Sequence, residues 1–167
     1  MKEIPQPIQD FFFPKLDRRF FIRVCCLAAV TFLVCRFVIS PAWTNGASML
    51  PTYQEHQFLP ILRCRYWFSK PKPGDVVAVR YLGRQMFLKR VVATAGQTVA
   101  FQNGVLMIDG EECQEPWAHL TPCDWDLAPR TVPPGEVYII GDNRAMPIQE
   151  HHFGHVITDR ILGSPLW

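Results

Sequence analysis

Ser48 and Lys89 are residue types that together could perform nucleophilic catalysis. Ser48 lies in the stretch NGASMLPT, residues 45–52, and Lys89 lies in the run MFLKRVV, residues 86–92. A serine hydroxyl is a weak nucleophile until a base within hydrogen-bond reach takes its proton. A lysine becomes such a base when burial lowers its pKa from about 10.4 toward 7 or 8, which costs roughly 3 to 5 kcal/mol. The two residues are therefore a candidate nucleophile and general base.

The run around Lys89 has the pattern of a β-strand with a cation on each face. Side chains alternate between the faces of a strand, so Lys89 shares one face with Phe87 and Val91, and Arg90 lies on the other. Both faces are otherwise apolar, which predicts that one of the two cations is partly buried. Lysine is the one whose proton can be lost on burial. The spacing alone leaves open that Ser48 is a loop serine and Lys89 a lysine at the solvent edge.

The elements that would position this pair are mostly strands. Short runs rich in β-branched and aromatic residues alternate with turn residues after residue 73, which predicts a mostly β domain. Asn103-Gly104 and Asp109-Gly110 are strong hairpin turns and predict a compact β-meander over residues 97–112. Residues 113–134 are interpreted as irregular, and the small β insertion as a whole is placed at about 97–133.

An apolar segment precedes Ser48. Residues 20–39 read FFIRVCCLAAVTFLVCRFVI, interrupted only by Arg23 and Arg36, and their length suits a hydrocarbon core of roughly 30 Å. Basic residues precede this segment, whereas none occurs from 37 to 62, so the positive-inside rule places residues 1–19 in the cytoplasm. The prediction is a single-pass anchor at 20–39 in the inner (cytoplasmic) membrane, with residues 40–167 on the outer, periplasmic side.

The apolar segment has two other interpretations, a cleavable signal peptide and a buried helix. Residues 24–35 have the length of the apolar region of a cleavable signal peptide, and Ser40-Pro41-Ala42 resembles a cleavage site. Arg36 and Pro41 favour an uncleaved anchor. A buried helix of a soluble protein would have to place Arg23 and Arg36 in a core.

Composition excludes several other classes. Seventeen Lys and Arg against fifteen Asp and Glu are dispersed along the chain, so no basic face predicts a nucleic-acid partner. The six cysteines include no CxxC spacing, so no zinc ribbon or thioredoxin-type site is indicated. Outside the cytoplasm, Cys113 and Cys123 could close a disulfide.

Four aromatic residues could form a collar at the membrane interface, or could equally belong to the core of the β domain. They are Trp43, Tyr66, Trp67 and Phe68.

Four stretches in order resemble the conserved blocks of type I signal peptidases, a family that includes the mitochondrial inner membrane proteases. They are SMLPT at 48–52, PGDVVAVR at 73–80, FLKRVVATAGQTV at 87–99 and VPPGEVYIIGDNR at 132–144. The resemblance implies a membrane-anchored endopeptidase with an antiparallel β-sheet catalytic domain. Such an enzyme removes signal peptides from exported preproteins with a Ser-Lys dyad, and it requires no metal or cofactor.

The resemblance also implies roles for individual residues. Ser48 matches the nucleophile, and its N–H would be one donor of the oxyanion hole. Lys89 matches the general base, and later the acid that protonates the leaving amine. Arg90 matches a cation that pairs with Asp142 of the Gly-Asp-Asn turn, and Asn143 belongs to the same structural support.

Around the nucleophile, Met49 matches a residue beside the substrate pocket. Gly46 holds a position where many bacterial members have a serine or threonine that donates to the oxyanion. Small residues here would leave room for an extended substrate, and shallow pockets would accept Ala or Gly at the first and third positions before the cut.

The chain departs from the family pattern after the Gly-Asp-Asn turn. Pro147, which has no hydroxyl, occupies the position where the family has the serine that orients the lysine. Residues 149–151 also differ from the family's Asp-Ser-Arg. Another group then orients Lys89, or the protein is a specialised secretion or conjugative-pilus processing peptidase. A third possibility is a catalytically degenerate membrane-bound assembly factor. Self-cleaving SOS-type repressors share the dyad, but they would need a DNA-binding domain in place of the anchor.

A metal site is a rival chemistry. Glu150, His151 and His155 could together supply oxygen and nitrogen ligands to a divalent ion. Gly154 and the strand-like run after it make a helical pair of ligands unfavourable. The competing interpretation is that these histidines lie exposed in a turn.

Overall fold

The computed structural model describes residues 17–81, 85–116, 123–152 and 154–167. They form two compact units, which divide between Val38 and Ile39. Helix α1, Arg18–Leu33, forms the first unit with a π-helical turn at Val34–Val38. The Asp17 side chain caps α1 by accepting from the Phe20 N–H at 2.8 Å. The combined helix has a window of mean hydropathy 2.2 and no buried residue, so it is long and apolar enough to cross a membrane.

The predicted anchor, 20–39, differs from the helix at both ends. The helix begins at Arg18, because Asp17 supplies the N-cap three residues before the apolar run. Ile39 belongs to the first strand of the second unit.

Most of the second unit's strands form one large sheet. Its strands are β1 Ile39–Ser40, β2 Ile61–Leu62, β3 Val76–Arg80, β4 Met86–Thr94, β9 Glu136–Ile140, β10 Gly154–Ile157 and β11 Ile161–Pro165. Over the described residues the sheet is seven-stranded and antiparallel, in the order β1-β2-β11-β3-β4-β9-β10.

A smaller sheet is inserted between β4 and β9. Within the described residues it has four antiparallel strands in the order β7-β6-β5-β8. These are β5 Thr98–Gln102, β6 Val105–Ile108, β7 Glu111–Glu112 and β8 Leu127–Thr131. Asn103-Gly104 and Asp109-Gly110 all have positive φ, as type I′ hairpin turns require, so the predicted meander is confirmed. The predicted mostly β fold with a small β insertion after one apolar helix is confirmed as well.

One expectation within the insertion is wrong. Residues 113–134 were expected to be irregular, yet β8 forms there and pairs with β5. Pro129 lowers the strand signal of the sequence, but β8 is an edge strand of the small sheet, where a missing N–H is tolerated. Residues 117–122 of the same stretch lie outside the described residues.

The large sheet is covered on both faces. Alternate residues of β9 serve two separate hydrophobic clusters, Val137 and Ile139 in one, Tyr138 and Ile140 in the other. The second cluster continues into the small sheet and includes the buried Trp125. Burial of aliphatic side chains of this kind stabilises a fold by about 1.5–3 kcal/mol each. The strand β4, which carries Lys89, is an interior strand of this sheet, held between β3 and β9.

Several of the aromatic residues are not core. Trp43, Trp67 and Phe68 are 65%, 59% and 98% exposed, which contradicts the core interpretation for these three. Tyr66 alone packs partly against a hydrophobic cluster, and its hydroxyl donates to Asp75. Cys113 and Cys123 both have free thiols in the structure.

Candidate active site

A β-strand carries Lys89, and a hydrogen-bonded turn carries Ser48. Lys89 lies within β4, paired with Val77 of β3, and is only 2% exposed. Ser48 lies in a tight turn, in which the Leu50 N–H donates to the Ala47 carbonyl at 3.1 Å. The two residues are 41 positions apart in sequence, and the sheet brings them together.

The Lys89 ammonium donates a hydrogen bond of 2.6 Å to Ser48 Oγ. Among the described residues, Ser48 Oγ is the hydrogen-bond partner of Lys89 Nζ. Burial lowers the pKa of Lys89 to about 8, and the carboxylate of Asp142 partly opposes this shift. Near pH 8 a large fraction of the lysine is therefore a neutral amine with its lone pair available to Ser48.

A buried ion pair supports the site from the other side of β4. Arg90 Nε and Nη2 donate to the two carboxylate oxygens of Asp142 at 2.8 and 2.6 Å. Arg90 Nη1 donates to the Gly74 carbonyl at 2.7 Å, and Thr52 Oγ1 donates to Asp142 at 2.6 Å. The pair thus ties β4 to the turn after β9 and to the turn that carries Ser48. Lys89 and Arg90 are both buried, whereas the strand pattern predicted the burial of one of them.

Removal of one partner of this ion pair is expected to be costly. Asp142→Ala leaves the Arg90 guanidinium buried without its counter-charge, so the free energy of unfolding should fall by about 3–5 kcal/mol. Asp159→Ala, at an exposed position, is the matched control and should change it by less than about 0.5 kcal/mol. Urea unfolding of the detergent-solubilised protein measures both values. Equal effects of the two substitutions would contradict the structural role given to Asp142.

Asn143 fixes the backbone of the nucleophile. Its N–H donates to the Ser48 carbonyl at 3.1 Å, and its Nδ2 donates to the Ala47 carbonyl at 3.0 Å. Gly141 packs against the Ser48 carbonyl so closely that a Cβ on this glycine would overlap the carbonyl oxygen. The Gly-Asp-Asn turn is therefore in direct contact with the Ser48 turn, as well as with Arg90.

A pocket of about 240 Å³ lies beside Ser48. Two chain segments, 42–46 and 86–88, line it together with apolar residues that include Met49, Leu59 and Ala78. Met49 is 4% exposed, so the structure places it in the wall of the pocket. Gly46 lies on the lining with φ of +97°, and its N–H donates to Glu55 Oε1 at 3.1 Å.

Two buried groups near the site were missed or misread from the sequence. Arg144 donates to both carboxylate oxygens of Glu115 at 2.7 and 2.6 Å, which links the Gly-Asp-Asn turn to the small insertion. No sequence pattern pairs these residues, which lie 29 positions apart. His151 was expected to be an exposed turn residue or a metal ligand, but it is only 6% exposed.

The described residues contain no group of three or more side chains suited to hold a metal ion. Of the suggested ligands, His151 contacts the Asn143 carbonyl, whereas His155 lies 3.7 Å from Glu136. Pro147 precedes a short 3₁₀ helix, Ile148–Glu150, and provides no hydroxyl for Lys89.

Comparison with known proteins identifies relatives of this chain. The sequence model of the family described as signal peptidase, peptidase S26, matches residues 18–166. A probable signal peptidase I-1 of Synechocystis sp. is 33% identical over 156 residues, which cover 87% of this chain and 79% of the relative. The signal peptidase I of Bacillus caldolyticus is 28% identical over 158 residues, covering 86% and 84%.

A crystal structure of a signal peptidase I from Enterococcus faecalis V583 is 23% identical, with a TM-score of 0.45, and covers 57% of this chain and 97% of that chain. The family predicted from four sequence blocks is confirmed by the sequence matches. Because these matches extend over both the apolar helix and nearly all of the sheet unit, the chain belongs to the signal peptidase family of serine peptidases, peptidase S26.

Proposed function

We propose that this chain is a membrane-anchored endopeptidase that removes N-terminal signal peptides from exported preproteins, with Ser48 as nucleophile and Lys89 as general base. The observation that carries the proposal is the 2.6 Å hydrogen bond between the buried Lys89 amine and Ser48 Oγ. Ser48 lies on the wall of an open pocket, whose lining includes both apolar and polar residues. Family membership supports the same reaction.

In the proposed mechanism the neutral Lys89 amine takes the proton of Ser48 as Oγ attacks the carbonyl carbon of the scissile peptide. The backbone N–H of Ser48 is the proposed donor to the resulting oxyanion. The Lys89 ammonium then gives its proton to the leaving amine, which releases the mature protein and leaves an acyl group on Ser48. A water molecule, deprotonated by Lys89, attacks the carbonyl carbon of this ester. The Lys89 ammonium returns the proton to Ser48 Oγ as the bond to the acyl group breaks, and the signal peptide is released with a free carboxyl group.

The surroundings of Lys89 suit this cycle. Its pKa of about 8 lets the amine accept a proton near neutral pH and release it within one turnover. The Asp142 carboxylate opposes the effect of burial and so prevents the pKa from falling so far that the lysine becomes a poor base. Gly46 has no hydroxyl and its N–H is already donated to Glu55, so we assign no oxyanion donor to that residue.

The pocket suits an extended peptide with small side chains. Segments 42–46 and 86–88 both line it, so an extended substrate backbone placed there would meet both segments. Buried side chains such as Leu59 and Ile61 limit its depth. We therefore assign to this pocket the small residues, Ala or Gly, that precede the cleavage site.

Membrane attachment is proposed from two independent features. Helix α1 and the turn after it have the length and hydropathy of a span. In the second unit, Trp43, Trp67 and Phe68 are exposed, and amphipathic rings favour the level of the lipid headgroups. With the basic residues preceding α1, we place the N-terminus in the cytoplasm and the catalytic unit on the periplasmic face of the inner membrane.

The test is cleavage of a preprotein with an Ala-x-Ala site by the detergent-solubilised full chain. We expect a single cut after the second alanine, and replacement of that alanine by leucine should lower kcat/KM at least roughly 100-fold, because the pocket is shallow. A chelator should have no effect on the rate. Loss of activity to the chelator would favour the metal alternative, and binding without cleavage would favour the degenerate assembly factor.

A further inference from the structure

His151 is a buried polar residue that the mechanism above does not use. It follows the 3₁₀ helix Ile148–Glu150, and its ring lies edge-on to Trp125 with centroids 4.6 Å apart. The pKa of His151 is lowered to about 4, mainly by burial; the bond to Asn143 opposes this shift, whereas the nearby side chains of Lys89, Arg144 and His152 contribute to it. The ring is therefore neutral throughout the pH range in which the peptidase would work.

Contacts of His151 lead directly to the nucleophile. His151 Nε2 lies 2.7 Å from the Asn143 carbonyl oxygen. A carbonyl can only accept, so Nε2 carries the proton of the neutral ring. Asn143 in turn donates its N–H to the Ser48 carbonyl and its Nδ2 to the Ala47 carbonyl. His151 is thus connected through Asn143 to the two peptide groups that flank Ser48.

Packing alone does not explain why a histidine occupies position 151, because its other ring nitrogen is buried without a hydrogen bond within the described part of the chain. With the proton on Nε2, Nδ1 of His151 is an acceptor, and it is buried without a hydrogen-bond partner among the described residues. An unsatisfied buried acceptor destabilises a fold, and an aliphatic side chain would fill the same space without that cost. Gly141 lies between the His151 ring and the nucleophile turn: a Cβ on this glycine would meet Nδ1 and Cε1 of His151 as well as the Ser48 carbonyl oxygen. The polar side chain is thus placed where it can influence the nucleophile.

We propose that His151 is a positioning residue of the dyad, which holds Ser48 in reach of Lys89 through the hydrogen bond of its Nε2–H to Asn143. This inference rests on the proposed function of Ser48 and Lys89. It offers a physical answer to the missing hydroxyl at Pro147: the dyad is oriented here from the side of the serine, through its backbone, and not from the side of the lysine.

The test compares two substitutions in the full chain. Glutamine can place an N–H near the position of Nε2, so His151→Gln should keep kcat within about threefold of the wild type. His151→Leu fills the space without a donor, and its kcat should fall by about 10- to 100-fold while KM stays within threefold. His152→Gln, at the neighbouring exposed histidine, is the matched control and should leave kcat unchanged. A wild-type kcat in His151→Leu, or an equal loss in His151→Gln, would overturn the proposal.

A spectroscopic measurement on the wild type tests the hydrogen bond from His151 to Asn143, even if the substitutions prevent folding. In the ¹⁵N-histidine spectrum of the wild type, the His151 signal should show a neutral ring protonated at Nε2 from pH 8 down to about pH 5. Protonation at Nδ1, or titration near pH 6.5, would overturn the inference. If Ser48→Ala is as active as the wild type, the proposed function fails instead, and this spectrum still reports on the His151 contact.

Discussion

Ser48→Ala is expected to lower kcat on a preprotein by at least roughly 10⁴-fold, because the reaction then has no nucleophile to form the acyl intermediate. KM should change little, since the substrate pocket and the backbone N–H at position 48 remain. The fold should remain as well, because Ser48 is a partly exposed turn residue whose backbone carries the contacts to Asn143. Initial rates at saturating preprotein, with purified protein in detergent, measure the effect.

The matched control for that substitution is Ser69→Ala. Ser69 is an exposed loop serine whose hydroxyl donates to the Arg65 carbonyl, so its removal should leave kcat within a factor of two. If Ser48→Ala retained more than about a hundredth of the wild-type kcat, another group would be performing the attack, and the assignment of the nucleophile would be wrong.

Lys89→Met is expected to abolish activity and at the same time to stabilise the fold at pH 7. The activity is lost because no other described side chain donates to or accepts from Ser48 Oγ. The stability rises because methionine fills the apolar site without the cost of burying an ammonium. A pKa lowered from 10.5 to about 8 corresponds to about 3 kcal/mol of destabilisation at neutral pH.

The pH dependence of stability gives this prediction a second measurement. Between pH 8 and about 10.5 the unfolded wild type binds more protons at Lys89 than the folded protein does, so its free energy of unfolding should rise with pH across that window. Lys89→Met should lack this rise. The control is Lys72→Met, at an exposed position, which should behave as the wild type in both activity and stability. A Lys89→Met protein less stable than the wild type at pH 7 would contradict the buried, destabilising ammonium.

Strand periodicity explains how much of the site was predictable. In β4 the alternation of apolar residues around Lys89 and Arg90 places a cation on each face, and burial of at least one follows from that pattern alone. The hairpin turns at Asn103-Gly104 and Asp109-Gly110 were predictable for a similar reason, since few residue pairs adopt positive φ at both positions. Periodicity does not pair distant segments, so the contact of Lys89 with Ser48 was predictable only through the family resemblance.

Other contacts depend on tertiary structure and have no local signal. Glu115 lies in a stretch without strand periodicity, and only the folded insertion brings its carboxylate to Arg144. His151 has exposed neighbours in sequence, so its burial against Trp125 could not be read from its local context. β8 was missed because Pro129 lowers the strand propensity of its segment, whereas its edge position in the small sheet permits the proline.

The central claim is that a buried neutral lysine activates Ser48, and the pH dependence of kcat/KM for the wild type on an Ala-x-Ala preprotein tests it most directly. The pKa of about 8 predicts that kcat/KM rises about tenfold per pH unit below pH 7 and levels off above pH 9. The midpoint should lie well below the value of about 10.4 for a free lysine. A profile that is flat from pH 6 to 9.5, or a rise centred near 6.5 as for a catalytic histidine, would contradict the account.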